Sequence, residues 1–119
     1  MKLTMFGIPN CNTIKKAKDW LNGQEIAFDF HNYKKDGIDE TTIQAWVKHV
    51  GWKVLLNTKG TTWKKLSAED KDGVNEAKAI ALMSIYPSMI KRPVLQDLDG
   101  DMLLVGFDEE IYKSFLDKK

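Results

Sequence analysis

Lys2-Leu3-Thr4-Met5-Phe6, then Gly7-Ile8-Pro9-Asn10, then Cys11 is the stretch that sets the fold. Its first five residues read as a short strand and the next four as a tight turn. Beyond Cys11, the positions Ile14, Ala17, Trp20 and Leu21 fall on one face of a helix. Cys11 is the one cysteine of the chain. A strand-to-helix junction sets it against the unpaired N–H groups of the first helical turn and the positive end of the helix dipole. Both favour thiolate over thiol, and the thiolate is the nucleophile. A free cysteine is more often a small buried hydrophobe; the loop position shifts the balance toward chemistry.

Working outward, Asn22-Gly23 marks the end of the first helix, and Ile26-Ala27-Phe28-Asp29-Phe30 alternates as a second strand. A polar, lysine-rich segment follows from Tyr33 to Ile38. Asp39 suits a helix N-cap, and Ile43, Trp46, Val47 and Val50 give a helical stripe that Gly51 closes. Trp52 to Leu56 predicts one or two helical turns, Asn57 to Trp63 a loop, and Ser67-Ala68-Glu69-Asp70 a short capped helix. Another helix runs from about Val74 to Ile85, with Ala77, Ile80, Ala81 and Ile85 inward and Pro87 closing it. The period then changes. Val94 to Leu98 and Asp101 to Val105 flank Asp99-Gly100, a type I′ hairpin signal, and Asp108 caps a last helix carrying Ile111, Tyr112, Phe115 and Leu116.

The order β-α-β, helical block, β-β-α predicts an α/β fold: a thioredoxin-like mixed sheet with an inserted helical subdomain at about 37–88. One domain over 1–119 accommodates it. The first β-α-β should be parallel with a right-handed crossover, and the closing hairpin adds antiparallel strands. The Cys11 loop and Lys91-Arg92-Pro93 would then meet at one end of the sheet. Pro93 holds Arg92 out of the α region, and the bond between them is a candidate cis peptide.

At 119 residues the chain can bury a core without disulfides or a structural metal. Eighteen basic residues against 17 acidic ones give no electrostatic case for nucleic acid or a membrane surface. One cysteine cannot close an internal disulfide, which fits a reducing cytoplasm. There is no apolar run near the ~20 residues of a membrane span and no signal-peptide pattern. A soluble, cytoplasmic protein is expected.

Arg92 is the single arginine among the 18 basic residues, and only a guanidinium presents a planar fork to an oxyanion or carboxylate. A surface arginine at a strand start is the plainer reading. Thr13 can offer a hydroxyl to a thiolate or simply cap the helix. Lys15 and Lys16 oppose the dipole at a helix start, which makes sense if an anion docks there. Asn10 and Asn12 suit an anion-binding turn or an ordinary loop. His31 and His49 lack ligand-spaced partners, and no grouping has zinc spacing, so no metal and no bound cofactor are expected. Trp46, Trp52 and Trp63 read as packing residues, and Gly7 and Gly60 fit no phosphate loop.

Phe6-Gly7-Ile8-Pro9-Asn10-Cys11-Asn12-Thr13-Ile14-Lys15-Lys16-Ala17 resembles the active-site segment of the arsenate reductase (ArsC)/Spx family, nearest its YffB-like branch. The likeness continues through Asn57 to Leu66, Ile90 to Val94 and Leu104 to Phe107, four blocks in order over essentially the whole chain. It implies a thioredoxin-like fold with a helical insertion. It also implies a glutathione-dependent thiol reductase, with Cys11 as nucleophile and Arg92, beside Pro93, as the anion-binding arginine. Two further oxyanion-binding arginines of arsenate reductases do not carry over. Asn57 stands at one, with Lys59 as a nearby stand-in, and Leu104-Val105-Gly106 has none, which weighs against arsenate reduction. Spx-type regulators carry a Cys-x-x-Cys switch, and Ile14 here replaces the second cysteine.

With one thiol, the second must come from outside, and glutathione or a glutaredoxin is the expected partner. Cys11 would attack a small oxidised thiol or an oxyanion. Thr13, Asn12, Lys15, Lys59, Arg92 and Pro93 would form the substrate and glutathione site. Arsenate reductase and a non-catalytic, Spx-like regulatory binding protein are the alternatives.

Overall fold

The computed structural model describes residues 2–116. Its elements are β1 (Leu3–Gly7), α1 (Asn12–Gly23), β2 (Asp29–Asn32), α2 (Tyr33–Asp36), α3 (Glu40–Val50), α4 (Trp52–Leu55), α5 (Thr61–Lys64), α6 (Ala68–Lys71), α7 (Glu76–Ile85), β3 (Val94–Asp97), β4 (Leu103–Val105) and α8 (Glu109–Leu116), with a 3-10 turn at Pro87–Met89. They group into two compact units. One is built from the segment up to Asp36 and the segment from Arg92 onward; the other is Gly37–Lys91.

The first unit holds a four-stranded mixed sheet in the order β2-β1-β3-β4. β1 and β2 are parallel with Gly7 opposite Asn32, while β3 runs antiparallel to β1 with Phe6 opposite Val94. β4 returns beside β3, Val94 opposite Val105. This register brings the carboxyl ends of β1 and β2 and the amino end of β3 to one end of the sheet. Every residue of β1 is buried, as its interior place in the sheet order requires. Against one sheet face pack Ile14, Ala17 and Leu21 of α1 and Tyr112 and Leu116 of α8, meeting Leu3, Met5, Leu95 and Leu104. The Tyr112 ring stands edge-on to Trp20 at 5.8 Å and to Phe107 at 4.8 Å.

In the second unit Asp39 Oδ1 accepts the Thr42 N–H at 2.8 Å and starts α3, which packs on α7. Gly51 ends α3 at φ 90, a conformation that favours glycine. Ser67 caps α6 by accepting the Asp70 N–H at 3.1 Å. Leu56, just after α4, and Ile90 form an isolated antiparallel bridge within the unit.

Several expectations shift. The second strand begins at Asp29 rather than Ile26, because the Ile26 N–H bonds the Leu21 carbonyl at 3.0 Å as part of the α1 cap. Ile26, Phe28 and Phe30 keep the alternating burial that suggested a strand, but ladder pairing with β1 starts only at Asp29. The left-handed residue ending α1 is Glu25, at φ 57, and Gly23 stays helical. Within the expected loop, Thr61–Lys64 forms a short helix. On α7 the buried residues are Ala79, Ile80, Leu82 and Met83, while Ile85 is 65% exposed. That helix is apolar nearly all round, so periodicity could not choose its face. The hairpin is also wider than a two-residue type I′ turn. Neither Asp99 nor Gly100 has positive φ, and Asp97 Oδ1 organises the connection by accepting the Asp99 N–H at 3.0 Å. Pairing resumes from Met102, whose carbonyl accepts the Asp97 N–H.

Candidate active site

The chain reverses sharply between β1 and α1. Asn10 adopts φ 61, a left-handed conformation that asparagine tolerates better than most residues. Cys11 follows as the N-cap of α1 with extended backbone (φ −113, ψ 126), and its carbonyl accepts the Lys15 N–H at 2.9 Å. The N–H groups of Asn12, Thr13 and Ile14 precede that first intrahelical bond, so they remain available to the sulfur or to an anion. Gly7 lets the strand end and the helix start come this close. A Cβ at Gly7 would overlap Ile14 Cδ1 and lie 3.3 Å from Ile14 Cγ1.

Cys11 is partly buried and free. Burial of the sulfur disfavours ionisation. Against that, the Ile14 N–H, a hydrogen bond from the Arg92 guanidinium, the Thr13 N–H and the Arg92 charge all favour the thiolate. They outweigh burial and hold the thiol below its ordinary pKa.

Arg92 reaches Cys11 because β3 starts beside the end of β1. The Arg92–Pro93 peptide is cis, and Pro93 is buried, its carbonyl accepting the Gly106 N–H at 2.8 Å. Thr13 contributes through its backbone N–H and not through the hydroxyl the sequence suggested. The charge acting on the thiol is that of Arg92 rather than Lys15. Asn12, Thr13 and Lys15 are exposed on the first turns of α1. Lys59 belongs to the second unit, where its N–H donates to Asn57 Oδ1 at 3.0 Å. There it borders a pocket of about 380 Å³ with Trp52, Lys53 and Lys91.

The helix start itself points to the first-turn N–H groups, and those of Ile14 and Thr13 face the sulfur. One group at this end of the sheet escaped the sequence reading. Tyr33, directly after β2, is buried with a hydroxyl that has no hydrogen-bond partner among the described residues. Burial pushes its pKa up, with the Arg92 charge opposing in part. Its ring lies 6.5 Å from Phe6 and 6.0 Å from His31. Among the described residues no group of three or more His, Cys, Asp or Glu could hold a metal ion, and no helix is long and apolar enough to cross a membrane.

A family model described as the ArsC family matches residues 6–115. The chain belongs to the ArsC family. The solved structure of the YffB protein is 46% identical and superposes with a TM-score of 0.90, covering 94% of this chain and 96% of its own. An arsenate reductase (ArsC) related protein from Brucella melitensis is 44% identical, TM-score 0.76, over 99% of this chain and 97% of the other. The global transcriptional regulator Spx of Streptococcus agalactiae is 28% identical over 116 residues, 96% of this chain and 82% of the regulator. These likenesses establish the α/β, thioredoxin-like mixed sheet for this ArsC-family chain. They join it to a family that holds both proteins named for arsenate reduction and regulators.

Proposed function

We propose that this ArsC-family protein is a glutathione-dependent thiol reductase working through one cysteine. The observation that carries the reading is the Cys11 sulfur at the N-terminus of α1, faced by the Ile14 and Thr13 N–H groups and by Arg92, in a chain with no second cysteine. In the first half-reaction the Cys11 thiolate attacks the glutathione sulfur of a mixed disulfide R–S–S–G. A Cys11–S–S–G bond forms and R–S⁻ leaves, taking a proton from water. In the second, the thiolate of a free glutathione attacks the glutathione sulfur on Cys11. Oxidised glutathione forms, and the Cys11 thiolate returns. The sum is R–S–S–G plus glutathione giving R–SH plus oxidised glutathione. Each step is an ordinary exchange at sulfur.

Arg92 has two tasks in this scheme. It holds the thiolate before attack, and its fork of donors stabilises the charge as it passes to the leaving sulfur. Arsenate as substrate is less well supported. It would need several cations around one oxyanion, and Leu104-Val105-Gly106 supplies none. The protein would act in the cytoplasm with glutathione or a glutaredoxin as partner.

Mass spectrometry tests the scheme. Oxidised glutathione should add one glutathione per chain, excess reduced glutathione should remove it, and Cys11→Ser should take none. A wild-type protein that stays unmodified while a free cysteine reacts would sink the proposal.

A further inference from the structure

We infer that one face of α1 is a specificity track for the thiol substrate, with Lys18 receiving a carboxylate at the far end of the substrate's arm. The inference rests on the reductase reading of Cys11 and names the part of the substrate that the thiol chemistry leaves unassigned.

A groove of about 670 Å³ begins at the Asn10 turn, passes Cys11 and continues along α1 to Asn22. Cys11, Lys15, Lys18 and Asn22 stand at i, i+4, i+7 and i+11, the spacing of one helix face. The stripe is polar, and it starts at the nucleophile. Lys18 lies seven residues beyond Cys11, roughly 10 Å along the axis at about 1.5 Å per residue. Its Nζ sits 3.7 Å from the centroid of the Phe30 ring. A cation resting on an aromatic face is restrained relative to a lysine free in solvent, so the charge has a defined place in the groove. Asp19 lines the groove beside it, which puts one positive and one negative group together at the far end.

That pairing fits an amino-acid zwitterion: carboxylate on Lys18, ammonium on Asp19. The distance equals about three extended residue lengths at roughly 3.5 Å each, the reach from a cysteine sulfur along a single γ-linked glutamyl side chain to its amino-acid head. The ligand class is therefore a short peptide thiol whose cysteine bears an amino-acid head at the end of an extended N-terminal arm. Glutathione, with its γ-glutamyl group, has this form. The track does no chemistry. It holds one half of the disulfide so that the sulfur attacked by Cys11 lies at the helix start. The Cys11–S–S–G bond then forms as the other glutathione thiolate leaves.

The test compares two disulfides, oxidised glutathione and the uncharged 2-hydroxyethyl disulfide, in low salt. Rates of Cys11 modification are measured for wild type, Lys18→Gln and Lys18→Glu. Lys18→Gln should slow reaction with oxidised glutathione about three- to fivefold. Lys18→Glu should slow it roughly tenfold or more through repulsion. Rates with 2-hydroxyethyl disulfide should stay within about twofold, which controls for the fold and for thiol reactivity. The disulfide of cysteinylglycine, which lacks the γ-glutamyl arm, should also be insensitive to Lys18. Equal rates for all three proteins with oxidised glutathione would overturn the track. So would equal losses with both disulfides, or Lys18 dependence that persists without the arm. A wild type inert to both disulfides would overturn the reductase reading and the track with it. Reaction with both and no Lys18 dependence would overturn the track alone.

Discussion

Replacing Gly7 by alanine tests the link between the sheet and the helix start at Cys11 most directly. Gly7 closes β1, and a methyl there would overlap Ile14 Cδ1 and crowd Ile14 Cγ1 at 3.3 Å. Ile14 is 2% exposed in the core beneath α1, so its side chain has little room to retreat. Overpacking of this kind costs about 1–3 kcal/mol. Gly7 has no positive φ, so alanine recovers roughly 0.5–1 kcal/mol of backbone entropy. The expected net loss is about 1–2 kcal/mol. Ile14→Val alone, which deletes Cδ1, should cost about 0.5–1.5 kcal/mol. In the double variant the new methyl occupies the space that Cδ1 vacates, so the two losses should not add. Coupling of about 1–2 kcal/mol is expected. Urea unfolding of the four proteins measures it, and Cys11 alkylation against pH gives a second readout, because displacing Ile14 moves the N–H that faces the sulfur. Additive losses with an unchanged alkylation profile would refute the argument that Gly7 sets the seat of α1.

Alkylation of Cys11 by iodoacetamide should inflect below about 8.5, the free-thiol value. Arg92→Ala should move the inflection up; the same inflection in both proteins would remove Arg92 from the thiol. Arg92→Lys keeps a charge but loses the fork, so it should hold the inflection low while slowing glutathione exchange; full exchange activity would refute a geometric role. Because the folded pKa of Cys11 is depressed, the ionised thiol adds stability above the unfolded value, and this is lost as pH falls through the folded one. The stability gap between wild type and Cys11→Ser should therefore widen as pH rises across that window, and a gap flat with pH would contradict the shift. Tyr33→Phe removes a hydroxyl with no partner among the described residues and keeps the ring packing, so stability should be unchanged or up by about 1 kcal/mol; a loss above about 1 kcal/mol on unfolding would mean the hydroxyl is bonded. Asp39→Ala should cost about 1 kcal/mol through loss of the α3 cap, and circular dichroism melts with no shift would contradict the capping role.

Elements with strong local signals were legible in the sequence: the Ile14/Ala17/Leu21 stripe, the Asp39, Ser67 and Asp108 caps, and the glycine stop at Gly51. Elements defined by pairing with distant residues were less so. The start of β2 depends on where ladder bonds to β1 begin, and the alternation from Ile26 to Phe30 runs across that boundary unchanged. The face of α7 was illegible because alanine, isoleucine, leucine and methionine surround it. For the site, residue type found Cys11 and Arg92, since each is single in the chain. The first-turn N–H groups were legible from the helix start, whereas the Tyr33 hydroxyl was invisible because its state comes from burial. Lys18 carried a signal in its i+7 spacing from Cys11, but that spacing gains meaning only once a groove is seen along the same face.

The sheet register explains why so few residues suffice. β1 delivers the turn to Cys11, and β3, antiparallel beside it, starts at the same end with Arg92-Pro93. Two strand ends thus place Cys11 beside the Arg92 charge. In disulfide exchange the negative charge starts on the attacking sulfur, spreads over the row of sulfurs at the transition state and ends on the leaving one. Helix N–H groups are fixed at the start of that path and favour the thiolate before attack. Taken alone they would deepen the ground state and slow the exchange. A guanidinium has donors enough to face two sulfurs at once, so it stabilises the charge after it begins to leave Cys11. In the proposed exchange the Ile14 and Thr13 N–H groups and Arg92 would together favour the Cys11 thiolate, and Arg92 alone would follow the charge to the leaving sulfur.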